Sequence, residues 1–339
     1  MPAEVPPVTA PADVPLTVVV PTYNRAGYVR ECLTALARSG VPGLEVIVAD
    51  DGSTDDTAAV VREVDPTARY LWQPNTGTPA TARNAGFAES RGRYVAFLDC
   101  DDAWLPGAPA RAVALLDRHP EVDVLFAEAQ VGNPQTGYHS WIEVAGQAVF
   151  RDLPGRELEP GFRALDRGPF FRRMAVRNQV FLGACVIRRE AFAAIGGFDP
   201  KLRGAADWEV LMRLAHQFTY GFMAEPLAIY TQHPGSMATD QDGMTAEFCR
   251  ALTAVLERCP LSPDDRRHVR DRLRHHLFNY AYLAYDQGRY ADARPRFTRA
   301  VLAGNLRPHT LALWLSSRLP GPVVRRLRGA KHAISKSPA

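Results

Sequence analysis

Tyr94-Val95-Ala96-Phe97-Leu98-Asp99-Cys100-Asp101-Asp102 is a short apolar run that ends in three carboxylates within four positions. An apolar stretch of this length, bounded by turn residues, reads as a strand buried on both faces. Carboxylates so crowded repel one another. A divalent cation removes the repulsion, prefers oxygen ligands and leaves positions open for the phosphates of a bound substrate. Two readings fit these residues: a metal-diphosphate site, or an acidic loop in which Asp101 or Asp102 caps the next helix.

The residues before this stretch alternate between strand and helix. Leu16 to Val20 is a continuous apolar run rich in β-branched residues, ended by Pro21-Thr22-Tyr23-Asn24. Val29, Cys32, Leu33 and Leu36 then recur at helical steps, and Gly40 to Gly43 closes that helix ahead of a second strand, Glu45 to Ala49. Asp50-Asp51-Gly52-Ser53-Thr54-Asp55-Asp56 turns into a second helix. A third strand near Tyr70 and Leu71 and a proline-initiated helix from about Pro79 to Ser90 complete the pattern. Such alternation predicts a mostly parallel sheet flanked by helices, an α/β fold with right-handed crossovers. Ligands of such sheets gather beyond the carboxyl ends of the strands, where the loops Pro21–Arg25, Asp50–Asp55 and Asp99–Asp102 fall. Neither GxGxxG nor GxxxxGK[ST] follows the first strand, which argues against a dinucleotide fold and a P-loop enzyme.

Composition narrows the class. The chain has 339 residues, 46% of them hydrophobic, enough for one large domain with an appendage. No apolar run reaches bilayer-spanning length, and Met1 to Pro15, rich in Pro and Ala, reads as a disordered leader. Five cysteines without CxxC pairs suit a reducing cytoplasm better than a disulfide framework. The net charge of +3 conceals an asymmetry: Asp292 is the last acidic residue, and ten Lys or Arg follow it. The final basic and apolar run suits a helix on an anionic membrane surface, on the inner face of the membrane, or a solvated tail. No nucleic-acid-binding motif accompanies the charge.

Four ordered motifs, Val20-Pro21-Thr22-Tyr23-Asn24-Arg25, Asp50-Asp51-Gly52-Ser53-Thr54-Asp55, Ala82-Arg83-Asn84-Ala85-Gly86 and Phe97-Leu98-Asp99-Cys100-Asp101-Asp102, closely resemble those of family 2 glycosyltransferases of the GT-A fold. The resemblance runs from about Leu16 to His233 and thins between Trp104 and Gly183. It implies an inverting, metal-dependent transferase that moves a sugar from a nucleoside-diphosphate donor to an acceptor hydroxyl of a glycan or lipid-linked acceptor, in cell-surface glycan synthesis. Pro21, Thr22, Tyr23, Asn24, Asp51, Gly77, Arg83, Asn84 and Asp99 would line the nucleotide sugar. Asp51 would accept from the base, and a carboxylate suits the imide N–H of uracil or thymine, hence a UDP- or dTDP-sugar. Asp101, with Asp99 and His233, would hold Mn2+ or Mg2+. The hard cation disfavours Cys100. Two alternatives stay open: a non-catalytic nucleotide-sugar-binding or scaffold protein of the same fold and, more remotely, a nucleotidyltransferase.

Gly196-Gly197-Phe198-Asp199 and Asp207-Trp208-Glu209-Val210-Leu211-Met212-Arg213-Leu214 resemble the family's GGFD and ED-W-L-RL segments, so Asp207 falls on the catalytic base. It also reads as a helix cap. Two positions depart from the family: Ala206 stands where Glu usually precedes the base, and Thr231 where Arg usually stands. The first puts acceptor recognition, more than the chemistry, in question; the second puts in question the reach of His233 to the metal or diphosphate.

Domain expectations follow from these readings: residues 1–14 a leader, 15–240 the catalytic domain with donor half 15–127 and acceptor half 128–240, 241–318 a helical extension with one tetratricopeptide-like hairpin, and 319–339 a basic tail. Between Glu128 and Val180 the segment reads as irregular. Its Tyr138, Trp141, Phe150, Phe170 and Phe171 with Arg172, Arg173 and Arg177 fit either an acceptor wall or a satellite core.

Overall fold

The structure, a computed structural model, describes residues 14–133, 135–141, 153–233 and 240–324. Residues 1–13 of the expected leader, Phe150, and the basic tail beyond Val324 lie outside the described residues. The chain divides into two compact units, Met1–Ser236 and Met237–Ala339.

The first unit is built on one mixed sheet. Strands β1 (Leu16–Thr22), β2 (Glu45–Asp50), β3 (Arg69–Trp72) and β4 (Tyr94–Phe97) alternate with helices α1 (Ala26–Leu36), α2 (Thr57–Val64) and α3 (Pro79–Glu89). They pair in parallel in the order β3-β2-β1-β4, as the alternation requires. Every residue of β1 is buried, which is why it reads as an unbroken apolar run. On α1 the buried positions are Val29, Cys32, Leu33 and Leu36, one stripe against the sheet. Thr78 caps α3, accepting from the Ala80 N–H, and Pro79 opens it.

Beyond Asp102 the order of strands departs from the order of the chain. The region comprises β5 (Ala103–Trp104), α4 (Ala108–Arg118), β6 (Val124–Asn133), β7 (Gly137–Ser140), β8 (Gly155–Glu159), β9 (Phe162–Leu165), α5 (Arg167–Val176), β10 (Cys185–Arg188), α6 (Arg189–Ala194), α7 (Ala206–Gln217) and β11 (Tyr220–Thr231). Strand β10 inserts antiparallel between β4 and β6, β6 pairs parallel with β11, and β9 and β8 extend the sheet at its far edge. The segment expected to be irregular is thus largely strand and helix. Its partners lie up to a hundred residues away, so its short strands carry little local signal. Phe170 and Phe171 are buried core side chains, Phe170 packing on Phe126 and Tyr220, and are not part of a wall.

The second unit holds α8 (Gln241–Arg258), α9 (Pro263–Asp286), α10 (Tyr290–Leu302) and α11 (Pro308–Ser316). Helices α9 and α10 form a hairpin, turned at Gly288 with φ +75°. Ala281, Ala284 and Tyr285 of one helix pack against Tyr290, Ala293 and Phe297 of the other. Small residues there let the helices approach and aromatic ones fill the remaining space. Among the described residues no helix is long and apolar enough to cross a membrane.

Candidate active site

The acidic loop leaves β4 at the carboxyl edge of the parallel strands. One carboxylate oxygen from each of Asp99, Asp101 and Asp102 falls within 4.8 Å of the others. Each carboxylate has a different partner. Arg83 of α3 pairs with Asp99. Asp101 takes Arg25, from the loop after β1, and lies 2.9 Å from Nε2 of His233. The Tyr28 ring lies 5.3 Å from the His233 imidazole and 5.4 Å from the Arg25 guanidinium.

Asp102 is buried and accepts from the Thr231 N–H at 2.9 Å, which ties the end of β11 to the acidic loop. Burial, then the charges of Asp99 and Asp101, pushes its carboxyl well above the usual range. The capping reading is therefore corrected. Asp102 leads into β5, and α4 begins only after Gly107, whose side-chain-free αL geometry provides the cap position. The backbone N–H of Thr231 makes this contact, so the absent arginine is not needed for it. Cys100 is buried with its thiol pushed up to about 12 by burial, which keeps it a neutral core group. A set of hard carboxylate oxygens beside an imidazole fits a divalent cation such as Mn2+ or Mg2+.

The loops after β1 and β2 are cross-linked. Asn24 holds a left-handed backbone, φ +50°, which asparagine tolerates better than most residues. Its Oδ1 accepts from the Thr54 N–H at 2.8 Å, and its own N–H donates to Ser53 Oγ at 2.7 Å. Pro21 and Thr22 are buried, the Thr22 hydroxyl beside the Cys100 thiol, whereas Tyr23 is 47% exposed. Asp50 is fully buried and structural: it accepts from the Ser53 N–H at 2.7 Å and from the Tyr70 hydroxyl.

Asp51 gathers the segment after β3. It accepts from Gln73 Nε2 at 2.7 Å, Thr76 Oγ1 at 2.8 Å, Thr76 N–H at 3.1 Å and Gly77 N–H at 3.2 Å. Gly77, at φ +74°, presents its carbonyl to Arg203 Nε at 3.1 Å. Thr78 Oγ1 donates to the Leu202 carbonyl at 2.9 Å, so the turn ahead of α7 is fastened to the start of α3 at two points. Asn84 supplies a third: its Oδ1 accepts from the Phe198 N–H and its Nδ2 donates to the Phe198 carbonyl, both at 2.9 Å. Both ends of the Asn84 amide are thus engaged by protein.

Asp207 lies in the first turn of α7 and is half-buried. Asn178 Nδ2 donates to its Oδ2 at 3.1 Å. Burial raises its carboxyl above the ordinary value, while the charge of Arg83 lowers it and that of Asp99 raises it again. Arg83 thereby links the acidic loop and Asp207, and one of its N–H groups, at Nε, is buried without an acceptor. Trp208, Leu211, Met212 and Ala215 face the core. Ala206 is buried at the helix start. Glu209 is fully buried and pairs with Arg213 through 2.7 and 2.8 Å bonds, and Arg213 reaches the Ile195 and Gly197 carbonyls. It supports the glycine turn from behind and does not take the place of the absent glutamate. Trp141, Phe181 and Tyr230 form a half-buried aromatic group with centroids 5.4 to 5.8 Å apart, while Tyr138 and Arg177 are exposed.

Arg25, Gln73, Asn178 and Arg203 belong to this network and were absent from the expected site. Arg25 carried a signal, since it closes the Pro21–Arg25 motif. The others contact site residues only through the fold.

Residues 17–192 match the family model described as glycosyl transferase family 2; Asp207 and His233 lie beyond the matched span. An uncharacterized glycosyltransferase of Haemophilus influenzae is 25% identical over 230 residues, 66% of this chain and 71% of that protein. The O-antigen biosynthesis protein RfbC of Myxococcus xanthus is 28% identical over 254 residues, 72% of this chain but only 18% of that protein's length. The chain likewise spans 19% of another curated relative. Among solved structures, S. aureus TarS 1-349 in complex with UDP-GlcNAc superposes with a TM-score of 0.62 at 20% identity, covering 93% of this chain and 88% of that one. The mannosyltransferase PcManGT of Pyrobaculum calidifontis, with GDP-Man and Mn2+, superposes at 0.52 and 19% identity, covering 91% and 83%. At these identities the superpositions establish the fold.

Proposed function

Because the chain belongs to glycosyl transferase family 2, we propose that it is an inverting enzyme that moves a sugar from a nucleoside diphosphate to an acceptor hydroxyl, with Asp207 as the base. The observation that carries this reading is Arg83, which pairs with Asp99 and acts electrostatically on Asp207, so that donor-side charge and base share one centre. A half-buried carboxylate with a raised pKa is a better proton acceptor than a fully exposed one. Asn178 Nδ2 and the Trp208 N–H, donating to Oδ2 and Oδ1 at 3.1 and 2.7 Å, fix the orientation of this carboxylate.

Asp101 and Asp99, with His233 alongside, would hold a divalent cation. When bound, it neutralises charge developing on the leaving diphosphate. Arg83, with its unpartnered Nε–H, and Arg25 supply fixed positive charge on the same side. Thr22, Tyr23 and Asn24 border the nucleotide, and Asp51 accepts from its base. For that, the base displaces one of the side-chain donors now on Asp51, Gln73 Nε2 or Thr76 Oγ1. Uracil fits this reading, and UDP-GlcNAc in the TarS complex is consistent with it. A glycan or lipid-linked acceptor of a cell-surface polysaccharide, as the name of RfbC suggests, would enter beside Trp141 and Tyr230. Five cysteines, all free, fit work in the cytoplasm.

The test is nucleoside diphosphate release from UDP-, dTDP- and GDP-sugars, with Mn2+, with Mg2+ and with EDTA. Release from a pyrimidine donor, abolished by EDTA and by Asp207→Asn, is expected. Full activity in EDTA would remove the cation from the reading, and unchanged activity of Asp207→Asn would remove the base.

A further inference from the structure

Asp51 is 5% exposed, and its two oxygens, with about four lone-pair sites between them, already face four donors. Two of these are backbone N–H groups, those of Thr76 and Gly77, and two are side chains, Thr76 Oγ1 and Gln73 Nε2. A base reaches Asp51 only by taking the place of one of them. The backbone N–H groups are set by the turn after β3, which packs so closely on the turn after β2 that a Cβ on Gly52 would meet the Asn75 nitrogen at 2.7 Å. The Thr76 hydroxyl sits on the Cβ of a residue whose own N–H is 3.1 Å from both Asp51 oxygens, so it stays beside the carboxylate when it rotates.

Gln73 is placed differently. Its backbone N–H is anchored on the Asp50 carbonyl at 2.9 Å, just past the end of β3, and its half-buried side chain crosses from there to put the amide nitrogen 2.7 Å from Asp51 Oδ1. Rotation about its own side-chain dihedrals withdraws the amide with no change in the backbone. An ionised carboxylate accepts and cannot donate, so the amide turns its nitrogen, and not its oxygen, toward Asp51. What it presents there is the group O=C–N–H. Uracil and thymine carry the same group at their imide edge, where N3–H stands beside the O4 carbonyl.

We propose that Gln73 is a latch on the nucleotide site: in the free protein its amide holds on Asp51 the place of the base's imide edge, and a base enters by exchanging one O=C–N–H group for another. This latch rests on the reading of Asp51 as the base acceptor and adds to it the residue that selects for such an edge. The exchange is even only for a base that brings an N–H donor to Asp51, because a base without one leaves the buried carboxylate a donor short. The latch also sets affinity, since apparent binding is reduced to the fraction of molecules in which it is open. With the amide withdrawn, Thr76 N–H, Thr76 Oγ1 and Gly77 N–H remain on Asp51, so the turn stays tied while the site stands open.

The experiment is calorimetric titration of the full chain, with Mn2+ present, by UDP and by N3-methyl-UDP, whose base lacks the N–H. Wild type should bind UDP at least about tenfold more tightly than the methylated nucleotide. Gln73→Ala should bind UDP about tenfold more tightly than wild type, because no latch has to open, and should melt lower in the absence of nucleotide, because Asp51 has lost a bond. The two effects have opposite signs, whereas a merely structural glutamine would lower stability with no gain in affinity. Thr76→Val, the same test on the other side-chain donor, should not tighten UDP binding. Unchanged or weaker UDP binding by Gln73→Ala, or tightening by Thr76→Val in its place, overturns the latch while leaving Asp51 as the base acceptor. Equal binding of UDP and N3-methyl-UDP by wild type, or binding of neither, removes Asp51 from the base and the latch with it.

Discussion

Replacing Asn84 with alanine separates a nucleotide contact from a structural clamp. The Asn84 amide accepts from the N–H and donates to the carbonyl of Phe198, both at 2.9 Å, across 114 residues of chain. Phe198 is 2% exposed, so water does not readily replace either bond. Each bond contributes about 1 kcal/mol net, and an orphaned buried group adds about 1–3 kcal/mol, so the variant should lose about 3 kcal/mol. For a domain of this size that lowers the melting temperature by about 6–12 °C. Asn84→Asp, which keeps the acceptor and loses the donor, should also destabilise. Gly197→Ala should do the same from the other side, since its backbone has φ +75° and an added Cβ would meet Asn84 Oδ1 at 2.7 Å. The assay is thermal unfolding by circular dichroism, paired with calorimetric titration of UDP well below the transition. A melting shift of under about 1 °C together with lost UDP binding would refute the clamp and return Asn84 to the nucleotide.

Asp207→Asn should cut sugar transfer by about 10²- to 10⁴-fold, measured as product formation at saturating donor. The same variant should melt higher at neutral pH: the folded-state pKa of Asp207 is raised, so its ionised form costs stability above that pKa and the cost vanishes as pH falls below the unfolded value. The activity profile should accordingly show an acid limb above the range of an ordinary aspartate, absent from Asp207→Asn. Glu209→Ala leaves the Arg213 guanidinium buried without its carboxylate and should cost about 3–5 kcal/mol in urea unfolding. Asp101→Ala should abolish Mn2+ binding in calorimetry while the fold persists, because Asp101 bonds only to Arg25 and His233 in the contacts described above.

The strands β1 to β4, the helices between them and the three polar loops were legible in the sequence. Buried parallel strands are unbroken apolar runs, and the acidic loop is contiguous, so both signals are local. Asp207 and Arg83 were legible by their motifs, but the Asn178 bond to Asp207 was not, because which side chains meet across 29 residues depends on packing. The same holds for the antiparallel entry of β10 between β4 and β6, and for the register of β6 against β11, which shifts between Met223 and Ala228. The three carboxylates after Phe97 show the division. By itself the sequence determined that they crowd together at the end of a parallel strand, because that follows from their spacing. Only the tertiary structure decided that Asp99 meets Arg83, that Asp101 meets Arg25 and His233, and that Asp102 is buried on the Thr231 N–H. Identical side chains acquire different roles from partners and burial, and those are set by the folded chain as a whole.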